Sequence, residues 1–338
     1  MHGISENGID IAYIRELKCP RMTNPAPLLS IVVPCYYEEE ALPVTASVLG
    51  DLLQSMIQAG EIQEGSHCCF VNDGSQDGTW EIITSLVEKS NLYRGVNLSR
   101  NFGHQGALLA GLFTDSADAY ISIDADLQDD EQKIREMVQL YRAGKDIVYG
   151  CREDRKSDTW FKRSTAQLFY KIRSSLGCQT IPNHADYRLM SARAVKELKR
   201  YGEVNLYLRG IVPMLGFPAA RVYYSRKQRE LGESKYPLIK MLRLAWNGVV
   251  NFSEVPLQVC IWFGLMGFLF SLALIAWCIY RWYIGAVLPG WTSTVLVVSA
   301  FGSMQFLFTG VIGLYIGKIF HETKNRPHFI VQDDLTRR

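Results

Sequence analysis

Two long segments near the C-terminus carry no charged residue, and they restrict the possible folds of this chain more than any other feature. They run from Val255 to Tyr280 and from Ala286 to Gly317. Each is longer than the roughly 20 apolar residues that a helix needs to cross a bilayer. The alternative, a pair of core helices in a soluble domain, fits such uncharged lengths poorly. The sequence therefore predicts two transmembrane helices.

Basic residues flank this pair of segments on its outer sides, whereas the short connection between the segments contains one, Arg281. The flanking basic residues are Lys240, Arg243, Lys318, Lys324 and Arg326. Because lysine and arginine accumulate on the cytoplasmic side of membrane proteins, both ends of the pair are expected in the cytoplasm. No apolar core follows a basic start at the N-terminus, so no cleaved signal peptide is expected. The chain is predicted to be a multi-pass protein of the plasma or inner membrane.

Short β-rich runs alternate with helix-length amphipathic runs in the first half of the chain. The expected strands are Leu28–Val33, His67–Val71, Gly95–Leu98, Ala119–Ile123 and Asp146–Tyr149, followed by Tyr187–Met190 and Ala219–Tyr224. The expected helices are Glu39–Ala59, Thr79–Lys89, Gly103–Asp115, Glu131–Ala143, Trp160–Leu176 and Ala192–Tyr201. Such alternation is typical of an α/β domain with a doubly wound, mostly parallel sheet.

Two carboxylates one residue apart, Asp124 and Asp126, follow the apolar run Ala119–Ile123. Open α/β sheets bind their ligands at the carboxyl ends of the strands. Mg²⁺ and Mn²⁺ prefer carboxylate oxygens that they share with substrate phosphates. The pattern therefore indicates a divalent cation that holds a nucleotide diphosphate. An Asp-x-Asp that only caps a helix after a strand is the alternative.

Polar and aromatic residues also follow the first two expected strands. Tyr36 offers a face on which a nucleobase can stack, and Asp73 can accept hydrogen bonds from a base or a ribose. Gly74 permits a tight turn next to Asp73. Because adjacent strand ends share a crevice in a doubly wound sheet, these groups are expected beside Asp124. A pair of ordinary turns, with Asp77 as the cap of the following helix, is the alternative.

The segment from Leu238 to Phe252 places Lys240, Arg243 and Asn247 on one side of a helix and apolar residues on the other. A basic amphipathic helix just before a membrane span is suited to lying in the headgroup plane. A helix that packs on the α/β domain is the alternative.

Five motifs follow one another along the chain. They are Val33-Pro-Cys-Tyr-Tyr-Glu-Glu-Glu40, Asn72-Asp-Gly-Ser75, Arg100-Asn-Phe-Gly-His-Gln-Gly106, Asp124-Ala-Asp-Leu-Gln128 and Gly232-Glu-Ser-Lys-Tyr236. In this order they resemble the motifs of family 2 glycosyltransferases. With the membrane segments, they are most similar to the polyprenyl-phosphate glycosyltransferases, the group that includes bactoprenol glucosyltransferases and dolichol-phosphate mannose synthases. The resemblance extends from about Leu28 to about Val331.

The resemblance implies a GT-A type fold and an organisation in five parts. These are an N-terminal extension (1–27), a cytoplasmic glycosyltransferase domain (28–234), a juxtamembrane amphipathic helix (235–254), a transmembrane hairpin (255–317) and a cytoplasmic tail (318–338). The implied reaction is metal-dependent, inverting transfer of a sugar from a nucleotide diphosphate to a polyprenyl phosphate at the cytoplasmic face. Glucose from UDP-glucose and undecaprenyl phosphate are the expected substrates, for modification of lipopolysaccharide or another surface glycan. Aminoarabinose, N-acetylglucosamine and mannose from GDP-mannose are the alternative sugars.

The resemblance also assigns site residues by motif position. The nucleotide would be held by Pro34, Tyr36, Glu38 and Asp73. The metal, Mg²⁺ or Mn²⁺, and the pyrophosphate would be bound by Asp124, Asp126 and Gln128. Charged and hydroxyl groups expected around the phosphates are Arg152, Arg163, Arg226, Arg229, Ser234 and Lys235. Solvated surface charges are the alternative for the basic residues, and a helix N-cap is the alternative for Ser234.

Catalysis is expected to depend on Asp126 and Asp186. A phosphate monoester is already anionic near neutral pH, so it needs no strong general base to attack the anomeric carbon. Positioning and charge neutralisation should therefore dominate. Asp186 lies in a segment that resembles the family's Gly-Asp-Phe-Arg-Leu, and it is expected to orient the acceptor or a sugar hydroxyl. A buried carboxylate paired with Arg188 is the alternative.

The sequence departs from the family's pattern at several positions. Tyr37 stands where Asn is usual, Asp130 where Pro is usual, and Ala185 where Gly is usual. A segment that commonly reads Gly-Glu-Tyr-Ile-Gly-Arg has Leu314 in place of Glu and Lys318 in place of Arg. These changes bear on the sugar preference or the lipid path and leave the metal and nucleotide motifs intact.

Other functions fit the sequence less well. The 36 basic and 34 acidic residues nearly balance, so nucleic-acid binding is not expected. A processive polysaccharide synthase would need a Gln-x-x-Arg-Trp motif and more spans. A non-catalytic membrane scaffold is disfavoured by the intact residues Asp73, Asp124, Asp126 and Gln128. Two helices offer no transport route, so a separate flippase is expected. Small residues such as Gly264 and Gly313 permit close helix contact and predict a homo-oligomer, with a tetramer as one candidate.

Overall fold

The computed structural model describes residues 24–152, 184–203, 208–225, 290–324 and 326–336, with part of the segment 260–284. The chain divides into two compact units. The first contains the described residues before 226 together with those from Pro327 onwards. The second contains the described residues between 260 and 326.

One sheet forms the centre of the first unit. Its strands are β1 (Leu29–Cys35), β2 (His67–Asn72), β3 (Tyr93–Leu98), β4 (Ala119–Ser122), β5 (Ile147–Arg152), β6 (His184–Ser191), β7 (Ala219–Tyr224) and β8 (Val331–Asp334). Their order is β7-β5-β6-β4-β1-β2-β3-β8. β1 pairs in parallel with β2 and β4, β2 with β3, and β5 with β7. β6 and β8 are antiparallel to their neighbours. The predicted α/β sheet is therefore confirmed as a mixed sheet whose other strands share one direction.

The helices of the first unit connect or follow these strands. They are α1 (Leu42–Gln58), α2 (Thr79–Lys89), α3 (His104–Thr114), α4 (Lys133–Arg142), α5 (Ala192–Leu198) and α6 (Leu208–Met214). The boundaries of α2 and β7 agree with the sequence prediction. α1 begins at Leu42 rather than Glu39, and Pro43 lies in its first turn, where a proline is tolerated because the first helical N–H groups have no partner within the helix. The short helix α6 was not predicted. The expected helices at 160–176 and 235–254 lie outside the described residues.

α3 packs closely on the strands at the centre of the sheet. A Cβ atom on Gly111 would lie 2.4 Å from Cγ1 of Val32 and 2.9 Å from Cγ2 of Val71. Only a glycine permits this approach, because real Cβ atoms do not come so near to other carbons. The close contact fixes α3 along β1 and β2, and it brings the first residue of the helix, His104, to the carboxyl ends of the strands.

A charged cluster is buried at the opposite edge of the sheet. Nε2 of His67 lies 2.6 Å from Oδ2 of Asp115, and Nη1 of Arg94 donates to Oδ1 of Asp115 at 2.6 Å. The hydroxyl of Ser30 also donates to Oδ2. Burial raises the pKa of Asp115, but hydrogen bonds and charges from His67, Ser30 and Arg94 bring it below the ordinary value. The ionised carboxylate therefore stabilises the folded state.

Replacing Asp115 with alanine is expected to destabilise the first unit by about 3–5 kcal/mol near neutral pH, because it leaves the buried His67 and the part-exposed Arg94 without their shared carboxylate partner. The lowered pKa means that this stabilisation is present above the ordinary carboxyl pKa and is lost as the pH falls through the lowered value. Hydrogen exchange of the β1 and β2 amides measures the difference at several pH values. Asp51→Ala, at an exposed position on α1, is the control. Equal protection of wild type and Asp115→Ala at neutral pH would contradict the assignment.

The second unit contains one long helix, α7 (Trp291–Thr323). Its window Ala300–Gly317 has a mean hydropathy of 1.4, and among the described residues α7 is the one helix long and apolar enough to cross a membrane. The predicted span Val255–Tyr280 lies only partly within the described residues, and those from 260 to 283 are helical. A Cβ atom on Gly267 would lie 3.6 Å from the Phe301 ring, so these two segments approach each other. Two transmembrane helices stay a prediction.

Candidate active site

A cavity of about 380 Å³ opens at the carboxyl ends of the central strands. Sequence-predicted residues that line it are Pro34, Tyr36, Glu38, Asp73, Asp124, Asp126 and Asp186. His104 and Arg209, which the sequence did not single out, line it as well. The parallel arrangement of β1, β2 and β4 explains this convergence, because the loops after these strands all emerge at one edge.

The part of the cavity around Asp73 contains a tight turn. Gly74 has φ +68, and a Cβ atom there would lie 2.4 Å from the carbonyl carbon of Arg100. This contact brings the loop after β3 against the loop after β2, and the N–H of Phe102 donates to Oδ1 of Asp73 at 2.7 Å. Burial raises the pKa of Asp73, although the N–H groups of Phe102 and Gly103 oppose the shift. Asp73 is therefore held in place, with a carboxylate that lines the cavity.

Tyr36 presents its ring at the mouth of the cavity. Tyr36 is 46% exposed, and its ring meets that of Tyr37 edge-on, with 4.5 Å between the ring centroids. Tyr37 adopts φ 56, and its N–H donates to the hydroxyl of Ser75 at 3.0 Å. The turn after β1 is thereby tied to the turn after β2, and the exposed face of Tyr36 is available to a planar ligand.

Asp124 and Asp126 lie on the loop that follows β4. Oδ1 of Asp126 accepts the N–H of Gln128 at 3.2 Å, and Leu127 between them has φ 48. Burial raises the pKa of Asp124; His104 lowers it, and the nearby carboxylates, including Asp126, raise it further. This part of the cavity therefore concentrates negative charge that a cation would neutralise.

The carboxylates fit a hard divalent cation that is shared with a substrate. Within the part of the chain that the structure describes, no three His, Cys, Asp or Glu side chains converge to hold a metal by themselves. Mg²⁺ commonly binds through one or two carboxylates and completes its coordination with water and substrate phosphates. Asp124 and Asp126 offer such a partial set of oxygen ligands in one cavity.

Asp186 on β6 is held between two arginines. Nη2 of Arg188 donates to Oδ1 of Asp186, and Nη2 of Arg209 donates to Oδ2 at 2.7 Å. Burial alone would raise the pKa of Asp186, but Arg188 and Arg209 lower it to about 2. Asp186 therefore stays ionised and is a poor proton acceptor at neutral pH. The sequence left open whether Asp186 faces the site or pairs with Arg188, and the carboxylate does both.

Arg209 and His104 bring nitrogen donors to the same cavity. The Arg209 side chain is 40% exposed, while its guanidinium is fixed by Asp186. Nε2 of His104 lies 3.7 Å from Oδ1 of Asp124 and 3.9 Å from Oδ2 of Asp186. His104 belongs to the motif Arg100–Gly106, one of the five that resemble the family, so the sequence could have indicated it. Arg209 lies in no quoted motif, and no sequence signal pointed to it.

Other predicted residues lie beside the cavity or outside the described residues. Gln128 is buried and Arg152 is part-exposed, and neither belongs to the cavity lining. Arg152 instead lies within hydrogen-bond distance of Asp129 and Tyr224. Predicted phosphate ligands outside the described residues are Arg163, Arg226, Arg229, Ser234 and Lys235.

Comparison of the sequence with known proteins identifies the family of this chain. Residues 30–199 match the family described as glycosyl transferase family 2. The chain is 45% identical over 319 residues to "Uncharacterized glycosyltransferase YkoT" of Bacillus subtilis (strain 168), which covers 93% of this chain and 94% of that protein. The chain belongs to glycosyltransferase family 2.

Two further relatives extend the comparison of this family 2 glycosyltransferase. "SfII prophage-derived bactoprenol glucosyl transferase" of Shigella flexneri is 37% identical over 306 residues, with 90% of this chain and 97% of that protein covered. The solved structure of the mannosyltransferase PcManGT from Pyrobaculum calidifontis, in complex with GDP-Man and Mn²⁺, is 15% identical and has a TM-score of 0.46. The aligned residues cover 93% of this chain and 92% of the PcManGT chain. The sequence-based identification with the polyprenyl-phosphate glycosyltransferases of family 2 is confirmed by the bactoprenol glucosyl transferase relatives.

Proposed function

We propose that this protein transfers glucose from UDP-glucose to undecaprenyl phosphate at the cytoplasmic face of the membrane, with inversion at the anomeric carbon. The product would supply glucose for modification of lipopolysaccharide or another surface glycan. The observation that carries the proposal is a single cavity lined both by the carboxylates Asp124 and Asp126 and by the fixed cation Arg209. The 37% identity to a bactoprenol glucosyl transferase supports the choice of sugar and acceptor.

The donor nucleotide is proposed to bind between the loops after β1 and β2. Tyr36 would stack on the uracil, and Asp73 would accept hydrogen bonds from the uracil or the ribose. Pro34 and Glu38 line the same cavity. The hydrogen bond from the Tyr37 N–H to the Ser75 hydroxyl supports nucleotide binding here, because it fixes the separation of the two loops before the nucleotide binds.

Asp124 and Asp126, with Gln128 next to them, are the proposed ligands of Mg²⁺ or Mn²⁺. When bound, such a cation neutralises charge on the departing diphosphate. Burial raises the pKa of Asp124 and the nearby carboxylates raise it further. This supports the assignment, because an added positive charge would relieve the repulsion among the carboxylates.

The acceptor phosphate is proposed to bind at Arg209. A phosphate monoester carries its negative charge near neutral pH, so the site needs to orient the attacking oxygen and does not need to remove a proton. The low pKa of Asp186 supports this division of roles, since an ionised Asp186 fixes the Arg209 guanidinium and is unsuited to be a general base. Further proposed ligands of the phosphate groups are Arg152, Arg163, Arg226, Arg229, Ser234 and Lys235.

The return of the chain to the sheet supports a membrane hairpin. The chain leaves the sheet after Tyr224 and rejoins it at Val331, where β8 pairs with β3. A domain built on one sheet lies on one side of a bilayer, so the segment between these strands crosses it an even number of times. If α7 crosses once, a second crossing must lie between residues 226 and 290. We propose that both crossings form a hairpin, that the protein is a homo-oligomer and that a separate flippase moves the product.

Inverted and right-side-out membrane vesicles test the reaction and its orientation together. Labelled UDP-glucose, which does not cross bilayers, is added outside the vesicles, and the label is measured in the organic-solvent extract. Only inverted vesicles should yield labelled lipid, whose mass should correspond to a polyprenyl phosphate with one hexose. Label from UDP-N-acetylglucosamine or GDP-mannose but not from UDP-glucose would contradict the sugar. Labelled lipid from neither kind of vesicle, with any of these donors, would contradict the transfer.

A further inference from the structure

The loop that carries the proposed metal ligands has a strained backbone. Leu127, between Asp126 and Gln128, has φ 48, a left-handed conformation that is unfavourable for a residue with a side chain. Such a conformation persists only where surrounding contacts enforce it. The hydrogen bond that spans Leu127, from the N–H of Gln128 to Oδ1 of Asp126, is 3.2 Å long, and the Thr45 hydroxyl of α1 donates to the carbonyl oxygen of Ala125 at 2.6 Å. Contacts from outside the loop must therefore hold it.

Asp129 supplies one of these contacts. Its side chain is 3% exposed, and its Oδ1 accepts the Tyr224 hydroxyl at 2.6 Å. Arg152 lies beside both groups, with Nη2 at 3.4 Å from Oδ1 of Asp129 and Nε at 3.3 Å from the Tyr224 oxygen. Tyr224 is the last residue of β7 and Arg152 the last of β5. The loop is thereby attached to two paired strands of the sheet.

Tyr187 supplies a second contact. Its hydroxyl donates to the carbonyl oxygen of Asp130 at 2.9 Å, and its ring meets the Tyr224 ring edge-on with 5.4 Å between centroids. Both tyrosines are at most 2% exposed. Since their rings are packed against each other, the two hydroxyls are fixed relative to each other. They hold adjacent residues of the loop, one through a side chain and one through the backbone.

We propose that Tyr224, through Asp129, is a positioning residue that, together with Tyr187 through the Asp130 carbonyl, keeps the loop in the conformation in which Asp126 and Gln128 present their oxygens to the cation. The inference rests on the proposed metal-dependent transfer. Groups that orient metal ligands without touching the metal commonly change affinity by about 10- to 100-fold when they are removed. Without the Tyr224 hydroxyl, Leu127 can relax and Asp129 loses its short hydrogen bond. The cation would then have to order the loop on binding.

Mn²⁺ binding without turnover tests the inference. The free Mn²⁺ signal in electron paramagnetic resonance is titrated with detergent-solubilised wild type, Tyr224→Phe and Tyr120→Phe, and Asp126→Ala identifies the binding that belongs to this site. Tyr120 is a matched control, because it is also buried and its hydroxyl bonds to Asp115 and Ala117 at the far edge of the sheet. We expect about tenfold weaker Mn²⁺ binding for Tyr224→Phe and unchanged binding for Tyr120→Phe, with similar small losses in thermal stability.

The outcomes separate the inference from the proposed function. Equal Mn²⁺ affinity of wild type and Tyr224→Phe overturns the positioning role while the metal site stands. Binding to wild type that Asp126→Ala does not reduce overturns the metal assignment itself, and the inference with it. If Tyr224→Phe fails to fold, Tyr187→Phe provides the same measurement from β6, where weaker Mn²⁺ binding supports the inference and unchanged binding overturns it.

Discussion

Sugar transfer into the lipid extract is expected to fall by about 10²–10³-fold or more when Asp126 is replaced with alanine, the range seen when a group that stabilises transition-state charge is removed. Asp126 is exposed, and its one described hydrogen bond is to the N–H of Gln128, so the change should leave the fold intact. The loss should therefore reflect the missing metal ligand. Initial rates at saturating UDP-glucose, measured over a range of Mn²⁺ concentrations, provide the test.

Two companion variants make this result specific. Asp126→Asn keeps an oxygen that accepts the Gln128 N–H but removes the charge, so it should lose most of the activity as well. Asp51→Ala removes an exposed carboxylate on α1 and should keep the activity of the wild type. Transfer by Asp126→Ala at a rate near that of the wild type would refute the metal assignment. If Asp126→Ala instead shows no cooperative thermal unfolding transition, the loss of activity reflects unfolding and the claim that it reflects the missing metal ligand is refuted.

The sequence was sufficient for the part of the site that depends on local pattern. Asp73 and Asp124 each follow a buried strand within a few residues, and the parallel pairing of β1 with both β2 and β4 brings those strand ends together. Alternation of strands and helices predicts this pairing, because crossover connections produce parallel neighbours. The cavity residues on these loops could thus be named without coordinates.

Residues beyond β5 could not be placed in the same way. β6 lies between β4 and β5 and is antiparallel to both, with Ser122 opposite Arg188. This insertion brings Asp186 to the cavity, but nothing in the alternation pattern specifies which strands enclose β6. α6 then brings Arg209 to Asp186 through a contact between residues 23 positions apart. The order of strands in a sheet has no periodic signal in the sequence, and a seven-residue helix is too short for its periodicity to be recognised.

The end of the chain shows the same limit. Residues 331–334 are polar apart from Val331, so they carry no strand pattern, yet they form β8 at the edge of β3. Oδ2 of Asp333 accepts the Asn97 amide at 2.9 Å, and Asn97 in turn accepts the Asn72 amide at 2.8 Å. An edge strand is stabilised by its backbone pairing, for which composition gives little signal.

Arg209→Ala is expected to lower kcat/KM for the polyprenyl phosphate by about 10- to 100-fold, since hydrogen bonds to charged groups contribute about 1.5–3 kcal/mol. The fold should tolerate the change, because Asp186 keeps its hydrogen bond to the buried Arg188. The effect should fall mainly on the acceptor. Initial rates are therefore measured at varied polyprenyl phosphate with saturating UDP-glucose, and then with the two substrates exchanged.

Arg209→Lys should recover part of the loss, because a lysine keeps the positive charge but cannot keep both the Asp186 pairing and a two-pronged contact to phosphate. Arg200→Ala is the matched control: its side chain is 76% exposed and pairs with Glu197 at the surface, so transfer should not change. A rise in KM for UDP-glucose with an unchanged KM for the lipid would place Arg209 on the donor diphosphate. In that case the acceptor phosphate would need another cation, and the proposed phosphate-binding arginines and lysine would be the next to replace, beginning with Arg152, which the structure describes at the end of β5.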